Sequence, residues 1–344
     1  MNEPTPYQRL FVEATKNLVP LDVVLELTQR CNFRCRHCYI PDFHSPDLLN
    51  MDRVLGLVEE LAGLGTLRLT LSGGEVFLRR DWAEIAHRSR RLGFEVRVFT
   101  NGSLITEEVA DELAALCATV EISLHASRAK EFDDFTRVPG SFRKVERGIR
   151  LARERGVEVL LKVPVTVHNY REIDAVHAFA ESLGTRCTSY PAIMPAKDGN
   201  RAPLAQRAPE RLLLPYYAGP HSERALPDPD RSDEGTDGPL CAAAARLACV
   251  TSSGDVLPCV VLPLVAGNVR TQSFREIWEN SPVMHRIRAI RRVDLKPCDA
   301  CEKFAYCERC HAQALGEDGD LLGPSAWSCE HATVVEEASR RRGT

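Results

Sequence analysis

The chain has 344 residues, of which 44% are hydrophobic and 27% are charged, a composition typical of globular proteins. A formal net charge of −4 gives no reason to expect a nucleic-acid partner, and no apolar stretch is long enough to cross a membrane. Thirteen cysteines without an apolar signal segment indicate a cytoplasmic setting, where thiols bind metals or clusters rather than form disulfides.

Short β-branched runs alternate with amphipathic helices along the first half of the chain. Asp81 and Glu84 predict a capping box at one helix start, and Pro164 suggests that its strand lies at a sheet edge or contains a bulge. Strands are predicted over 21–27, 66–72, 94–100, 118–124, 157–166 and 186–190, with helices beginning near 51, 81, 106, 141 and 170.

About six β/α units predict an α/β fold in which a parallel sheet is covered by helices. Six units are too few to close an eight-stranded barrel, so we expect a partial, TIM-like (β/α)6 barrel with ligands at the carboxyl ends of its strands. The predicted divisions are an N-terminal extension (1–20), a core domain (21–195), a turn-rich linker (196–240), a small cysteine-rich domain (241–335) and a tail (336–344).

Three cysteines follow the first strand with the spacing C-x3-C-x2-C, namely Cys31, Cys35 and Cys38. Thiolates are soft ligands that favour iron–sulfur clusters, zinc or copper. Three of them on one loop can hold three corners of a [4Fe–4S] cube and leave the fourth iron open to another ligand. The alternative is zinc, which in structural sites has four protein ligands and would need His37 or His44 as well.

The carboxyl ends of the next strands carry polar and glycine residues. Glycines let a ligand approach the backbone closely, and a carboxylate can pair with an ammonium group, although each segment could also be an ordinary turn. Lys162 and Thr166 are further candidates on the fifth strand. The candidate binding residues are Ser72, Gly73, Gly74, Glu75, Asn101 and Ser123.

The cysteine loop, the Gly-Gly-Glu turn and the β/α units together resemble the radical S-adenosylmethionine (radical SAM) superfamily. The resemblance implies that the open iron of a [4Fe–4S] cluster chelates SAM, that the Glu75 turn meets the SAM amino group, and that Asn101 and Ser123 meet its ribose or carboxylate. It also implies reductive cleavage of SAM to a 5′-deoxyadenosyl radical, which abstracts hydrogen from a substrate. The chain departs from the common pattern at His37, where relatives often have Tyr or Phe, and at His125, where many have Asp.

A second set of cysteines lies near the C-terminus. Four of them form C-x2-C-x5-C-x2-C within thirteen residues, which predicts metal binding, with zinc as the alternative to a cluster. Upstream, Cys241, Gly254 and Cys259 form C-x12-G-x4-C around a predicted hairpin whose turn is 252–254.

This second pattern resembles the SPASM domain, a C-terminal extension that carries auxiliary [4Fe–4S] clusters, and departs from it by having two residues rather than three before Cys310. Cys249 either completes the first auxiliary cluster or is an inward strand residue, and its place in the hairpin favours the strand. The resemblance implies one or two auxiliary clusters, the first bound by Cys241, Cys259 and Cys310 and the second by Cys298, Cys301, Cys307 and Cys329.

Most SPASM enzymes modify ribosomally made peptides, so the resemblance implies an oxidative peptide maturase that installs a crosslink or oxidises a side chain. It would use an external electron donor. Because the core strand starts by Leu21, a leader peptide would be recognised by a separate protein or by the linker. Sulfatase maturation is disfavoured because Val260, rather than Asp, follows Cys259. The alternatives are a small-molecule enzyme acting on a sugar alcohol or tetrapyrrole, and a non-catalytic iron–sulfur or zinc protein, which would not need the Gly-Gly-Glu turn.

Overall fold

The computed structural model of the protein describes residues 5–222 and 239–342. The predicted linker turns at 227–230 and 235–238 lie outside these ranges. Within them the strands are β1 (Asp22–Thr28), β2 (Arg68–Gly73), β3 (Glu95–Thr100), β4 (Thr119–Ser123), β5 (Glu158–Pro164), β6 (Arg186–Tyr190), β7 (Leu247–Val250), β8 (Asp255–Leu257) and β9 (Gly267–Asn268).

Most of the helices lie between these strands, and others precede or follow them. In the ranges that the structure describes, no helix combines the length and the apolar character needed to cross a membrane. The helices are α1 (Pro6–Lys16), α2 (Met51–Gly63), α3 (Trp82–Arg91), α4 (Glu107–Ala115), α5 (Ala129–Thr136), α6 (Ser141–Glu154), α7 (Ile173–Ser182), α8 (Leu214–Ala218), α9 (Phe274–Asn280), α10 (Pro282–Ala289), α11 (His311–Gln313) and α12 (Ala326–Arg342).

Strands β1 to β6 form the predicted parallel sheet of six β/α units, each strand pairing with the next. Successive side chains of a strand point to opposite faces, and the two faces differ in chemistry. One face carries aliphatic residues such as Leu69, Leu71 and Val98, which are fully buried in the main hydrophobic core. The other face carries polar and charged residues, so the six strands form a partial barrel with a polar interior.

Two local predictions are wrong. Asp81 stands at the start of α3 but makes no side-chain cap, because its carboxylate accepts from Arg79 instead, at 2.7 Å from Nε. Pro164 does not mark an edge or a bulge, since β5 lies between β4 and β6 in regular register. Pro164 is the last residue of β5 and does not interrupt the hydrogen bonds to β6. The next residue, Val165, donates its N–H to the carbonyl of Tyr190 at 2.7 Å.

The predicted hairpin before Cys259 is formed by β7 and β8, which pair antiparallel. Gly254 in its turn has φ = 90°, a conformation that favours glycine. In addition β7 pairs in parallel with β1, so that Cys249 lies beside Val24. The sheet order β6-β5-β4-β3-β2-β1-β7-β8-β9 therefore makes the cysteine-rich segment a continuation of the core sheet.

Candidate active site

The loop that carries Cys31, Cys35 and Cys38 is irregular and follows the carboxyl end of β1. Two of its backbone amides donate to carbonyls at the end of α5: Arg34 to Thr136 at 3.0 Å and Arg36 to Phe135 at 3.2 Å. These bonds satisfy carbonyls that a helix end leaves unpaired. Helix α5, which the sequence did not predict, therefore holds the cysteine loop in place.

The three thiols of this loop lie close enough to affect one another. Burial raises the pKa of Cys38 to about 11 and raises those of Cys31 and Cys35. The neighbouring Cys38 and Cys31 raise the pKa of Cys35 further. A buried set of three soft donors on one loop fits a cluster, and binding it would displace the thiol protons.

The Gly-Gly-Glu turn packs against the segment that leads into Cys31. The amide of Gly74 donates to the carbonyl of Thr28, and the amide of Glu75 donates to that of Arg30, both at 2.8 Å. A Cβ on Gly73 would lie 2.1 Å from the Thr28 oxygen, and one on Gly74 would lie 2.3 Å from the Arg30 oxygen. Only glycine fits at either position, because the two backbones touch there.

Glu75 links this turn to the carboxyl end of β3. Its buried carboxylate accepts from the hydroxyl of Thr100 at 2.7 Å and from the amides of Asn101 at 2.8 Å and Phe77 at 3.2 Å. Burial raises the pKa of Glu75 to about 7, and these hydrogen bonds oppose the rise. The carboxylate therefore connects the carboxyl ends of β2 and β3. Its contact with the SAM amino group remains a prediction.

Asn101 faces the cysteine loop. Its Nδ2 donates to Oδ1 of Asn32 at 2.8 Å and lies 3.9 Å from Sγ of Cys31, while its Oδ1 accepts from the amide of Ser103 at 2.9 Å. Asn32 also donates to Oγ of Ser103, at 2.8 Å. The structure thus brings Asn101 to the three cysteines, together with Asn32 and Ser103, which sequence reasoning missed.

Ser123 ends β4 opposite Lys162 of β5, whose ammonium group lies 3.4 Å from Glu121 inside the barrel. Ser72, the next-to-last residue of β2, lies opposite Glu26 of β1 and is buried. These residues share the carboxyl edge of the sheet with the cysteine loop, as predicted. Thr166, in contrast, is buried and bonds Asn169.

A chain of ion pairs crosses the polar interior from β1 to β5. It places alternating charges on five neighbouring strands, so that the interior has no net excess of either sign from these residues. The pairs are Asp22–Arg68 (3.1 Å), Arg68–Glu95 (3.1 Å), Arg97–Glu95 (3.6 Å), Arg97–Glu121 (3.3 Å) and Lys162–Glu121 (3.4 Å).

A separate, deeply buried ion pair lies between the two cysteine-bearing parts of the sheet. Oε1 of Glu26 is 2.6 Å from Nζ of Lys197, and the two side chains are 2% and 14% exposed. The amide of Lys197 donates to the carbonyl of Tyr39, next to Cys38, at 2.9 Å. Its two residues are 171 positions apart in the chain, so sequence reasoning missed the pair.

Within each of the two C-terminal groups that the resemblance implies, some of the cysteines lie close enough to affect one another. Cys310 raises the pKa of both Cys241 and Cys259, after the larger effect of burial, and that of Cys259 reaches about 11. Cys298 and Cys301 likewise raise the pKa of Cys329 after burial, and Cys307 lies with its sulfur 3.9 Å from the carbonyl of Ser328. Their roles as ligands remain predictions.

Cys249 is fully buried within β7, between Val24 of β1 and Leu257 of β8. Across residues 5–222 and 239–342, no three Cys, His, Asp or Glu side chains converge tightly enough for a single metal ion. A four-iron cube holds its thiolates at separate corners, so its ligands need not converge in that way.

Comparison with known proteins agrees with this geometry. The family model of the radical SAM superfamily matches residues 25–181, and that of an iron–sulfur cluster-binding domain, SPASM, matches residues 241–311. The AdoMet-dependent heme synthase of Methanosarcina barkeri is 30% identical over 331 residues, which cover 88% of this chain and 94% of that one. The PqqA peptide cyclase of Xanthomonas euvesicatoria is 28% identical, covering 92% and 89%.

Among solved structures, that of Streptococcus suis SuiB bound to the precursor peptide SuiA superposes with a TM-score of 0.71. It covers 95% of this chain and 82% of that one at 17% identity, and so supports the fold alone. The radical SAM model includes Cys31, Cys35 and Cys38, and the SPASM model includes the C-terminal cysteines up to Cys310 but ends before Cys329. Together the two models imply [4Fe–4S] clusters and SAM as cofactors. The chain belongs to the radical SAM superfamily, as an enzyme with a C-terminal SPASM domain.

Proposed function

We propose that the protein oxidatively modifies a ribosomally made peptide. The observation that carries the oxidative part is the order of strands β2-β1-β7. It sets the hairpin before Cys259 directly beside the strand that leads into Cys31, which supports a first auxiliary cluster near the SAM-binding cluster. An oxidation that begins with hydrogen abstraction leaves a substrate electron to be removed, and an adjacent cluster is a suitable acceptor.

In this proposal SAM, bound at the open iron and reduced, supplies the 5′-deoxyadenosyl radical that takes the substrate hydrogen. The chain's own residues hold the reactants. Asn101 and the Gly73-Gly74 turn shape the wall next to the cysteine loop, while Glu26 and Lys197 supply the buried polar groups between the two cysteine sets.

The peptide as substrate is supported by relatives. A PqqA peptide cyclase is similar over most of both chains, and the AlbA protein of Bacillus subtilis, named for subtilosin biosynthesis, is 27% identical over 87% of this chain. The SuiB complex contains a precursor peptide on the same fold.

The test begins with radical generation. Anaerobically reconstituted protein with reductant and SAM should yield 5′-deoxyadenosine and methionine, whereas a Cys35→Ala variant should not. A short peptide encoded beside the gene is then co-expressed with the enzyme and weighed by mass spectrometry. A loss of two hydrogen masses supports the proposal. An unchanged peptide mass in the presence of active SAM cleavage would contradict the peptide assignment.

A second candidate is oxidation of a tetrapyrrole side chain, and the similarity to the heme synthase of Methanosarcina barkeri favours it. The same reconstituted protein, incubated with an iron porphyrin that carries propionate side chains, should then give a lighter porphyrin and 5′-deoxyadenosine in equal amounts. Formation of that product with an unchanged peptide would select this candidate over the first.

A further inference from the structure

His125 is a buried imidazole next to the radical-generating cysteines. Its Nε2 lies 3.8 Å from Sγ of Cys35, and the residue is only 4% exposed. Helix α5 packs two aromatic rings against it, with centroids 5.3 Å away for Phe132 and 4.7 Å away for Phe135. The same helix holds the cysteine loop, so the ring and the thiol are fixed by one element.

The backbone of His125 is also held in place. Nδ2 of Asn169 donates to the carbonyl of His125 at 3.0 Å and to that of Pro164 at 2.9 Å. Asn169 therefore joins the segment after β4 to the end of β5. With its ring packed and its backbone tied, the imidazole has little freedom to turn away from Cys35.

The position of the imidazole proton follows from what each ring nitrogen faces. In the part of the chain that the structure describes, Nδ1 of His125 is buried and has no hydrogen-bond partner. Nε2 faces the sulfur of Cys35, which as a thiolate ligand can only accept a hydrogen bond. The contact therefore requires a proton on Nε2, whether the ring is neutral or charged.

We propose that His125 donates an Nε2–H···S hydrogen bond to Cys35 in the cluster-bound protein and thereby raises the reduction potential of the SAM-binding cluster. Reduction adds negative charge to the cluster and its thiolates, and a hydrogen-bond donor at a ligand sulfur stabilises that charge. His125 acts through Cys35 and is a positioning residue. The inference concerns the start of the reaction and holds for a peptide or a tetrapyrrole substrate.

The test is a potentiometric titration of the reconstituted holoenzyme monitored by EPR. The signal that changes when SAM is added belongs to the cluster of Cys31, Cys35 and Cys38. In His125→Phe its midpoint should move to a more negative potential, and His125→Gln, which keeps an N–H donor, should restore part of the shift. Signals that do not respond to SAM should keep their midpoints in every variant.

A matched control is His37→Phe, which removes an imidazole from the same aromatic cluster, 5.0 Å from the ring of His125, and leaves the Cys35 contact intact. Its midpoint should equal that of the wild type. An unchanged midpoint in His125→Phe would overturn the proposal. Pulsed EPR of the reduced protein with 15N-labelled histidine is a second measurement, and it does not require a His125 variant that folds. We expect a coupling between the cluster and a histidine nitrogen in the wild type and also in His37→Phe. The absence of this coupling would also overturn the proposal.

Discussion

Glu75 should make the stability of the protein depend on pH. Its pKa in the folded protein is raised by burial to about 7, from an ordinary value of 4.5. The folded state therefore binds this proton more tightly than the unfolded state, and the stabilisation is complete below pH 4.5 and is lost as the pH rises through 7. The free energy of unfolding should fall by up to about 3 kcal/mol from this group alone.

Urea denaturation of the reconstituted protein between pH 5 and 8 measures this dependence. In Glu75→Gln the side chain is neutral in both the folded and the unfolded state, so the unfolding free energy of this variant should change less over the same pH range. The variant should also be less stable than the wild type at low pH, because the amide cannot accept all the hydrogen bonds of the carboxylate. Parallel pH profiles for the two proteins would show that Glu75 does not titrate in this range.

Gly74 should tolerate no side chain. A Cβ there would lie 2.3 Å from the carbonyl oxygen of Arg30, so Gly74→Ala must displace either the turn or the segment before Cys31. We expect a loss of about 1–3 kcal/mol in unfolding free energy and a lower iron content after reconstitution. Gly56→Ala is the matched control, since nothing lies within 4 Å of its Cβ in α2, and it should stabilise the protein by about 0.5–1 kcal/mol.

Some residues of the site were predictable and others were not. The glycines and Glu75 could be named because a strand followed by Gly-Gly-Glu has few other uses beside a three-cysteine loop. Asn32 and Ser103 could not, because their role depends on the end of β3 meeting a loop about 70 residues earlier in the chain. His125 was noticed only as a departure from a common pattern, and its contact with Cys35 required coordinates.

Among the elements, the segment after β6 is held to β1 by the Glu26–Lys197 pair. Lys197→Met would leave the carboxylate of Glu26 buried without its cation, which should cost about 3–5 kcal/mol, whereas Glu26→Gln combined with Lys197→Met should recover most of that loss. Thermal or chemical unfolding of the three proteins measures both effects.

The exposed pair of Lys130 and Asp134, 84% and 63% exposed, provides the comparison. Lys130→Met should leave the unfolding free energy almost unchanged, because solvent screens so exposed a pair. If Lys197→Met changed the unfolding free energy as little as Lys130→Met does, the Glu26–Lys197 pair would contribute nothing to holding the segment after β6 against β1.

The alternation of strands and helices was enough to predict the first six strands, because apolar periodicity reports local structure. Strand pairing over long distances was not predictable. The parallel pairing of β7 with β1 joins residues more than 200 positions apart, and nothing in either segment specifies its partner. The prediction from Pro164 of an edge strand or a bulge was wrong for the same reason, since the position of a strand in the sheet depends on which strands pair with it.

At the scale of the whole molecule, the continuous sheet places the strand that leads into Cys31 next to the hairpin that precedes Cys259. Strand β1 pairs with β2, which ends in the Gly-Gly-Glu turn, and with β7, which carries Cys249. Glu26 on β1 thus lies between the SAM side and the auxiliary side of the sheet. Backbone hydrogen bonds join these three strands, so the spacing between the Gly-Gly-Glu turn, Glu26 and Cys249 should be rigid.

This arrangement also predicts which C-terminal cysteines hold iron. Cys249 is fixed within β7 and fully buried, whereas Cys259 follows β8 and lies near Cys241 and Cys310. Cys249→Ala should therefore keep the iron and sulfide content of the reconstituted wild-type protein, and Cys259→Ala should lose the content of one cluster. Both variants should still form 5′-deoxyadenosine, because Cys31, Cys35 and Cys38 are unchanged. A loss of iron in Cys249→Ala equal to that in Cys259→Ala would instead make Cys249 a ligand that completes the first auxiliary cluster.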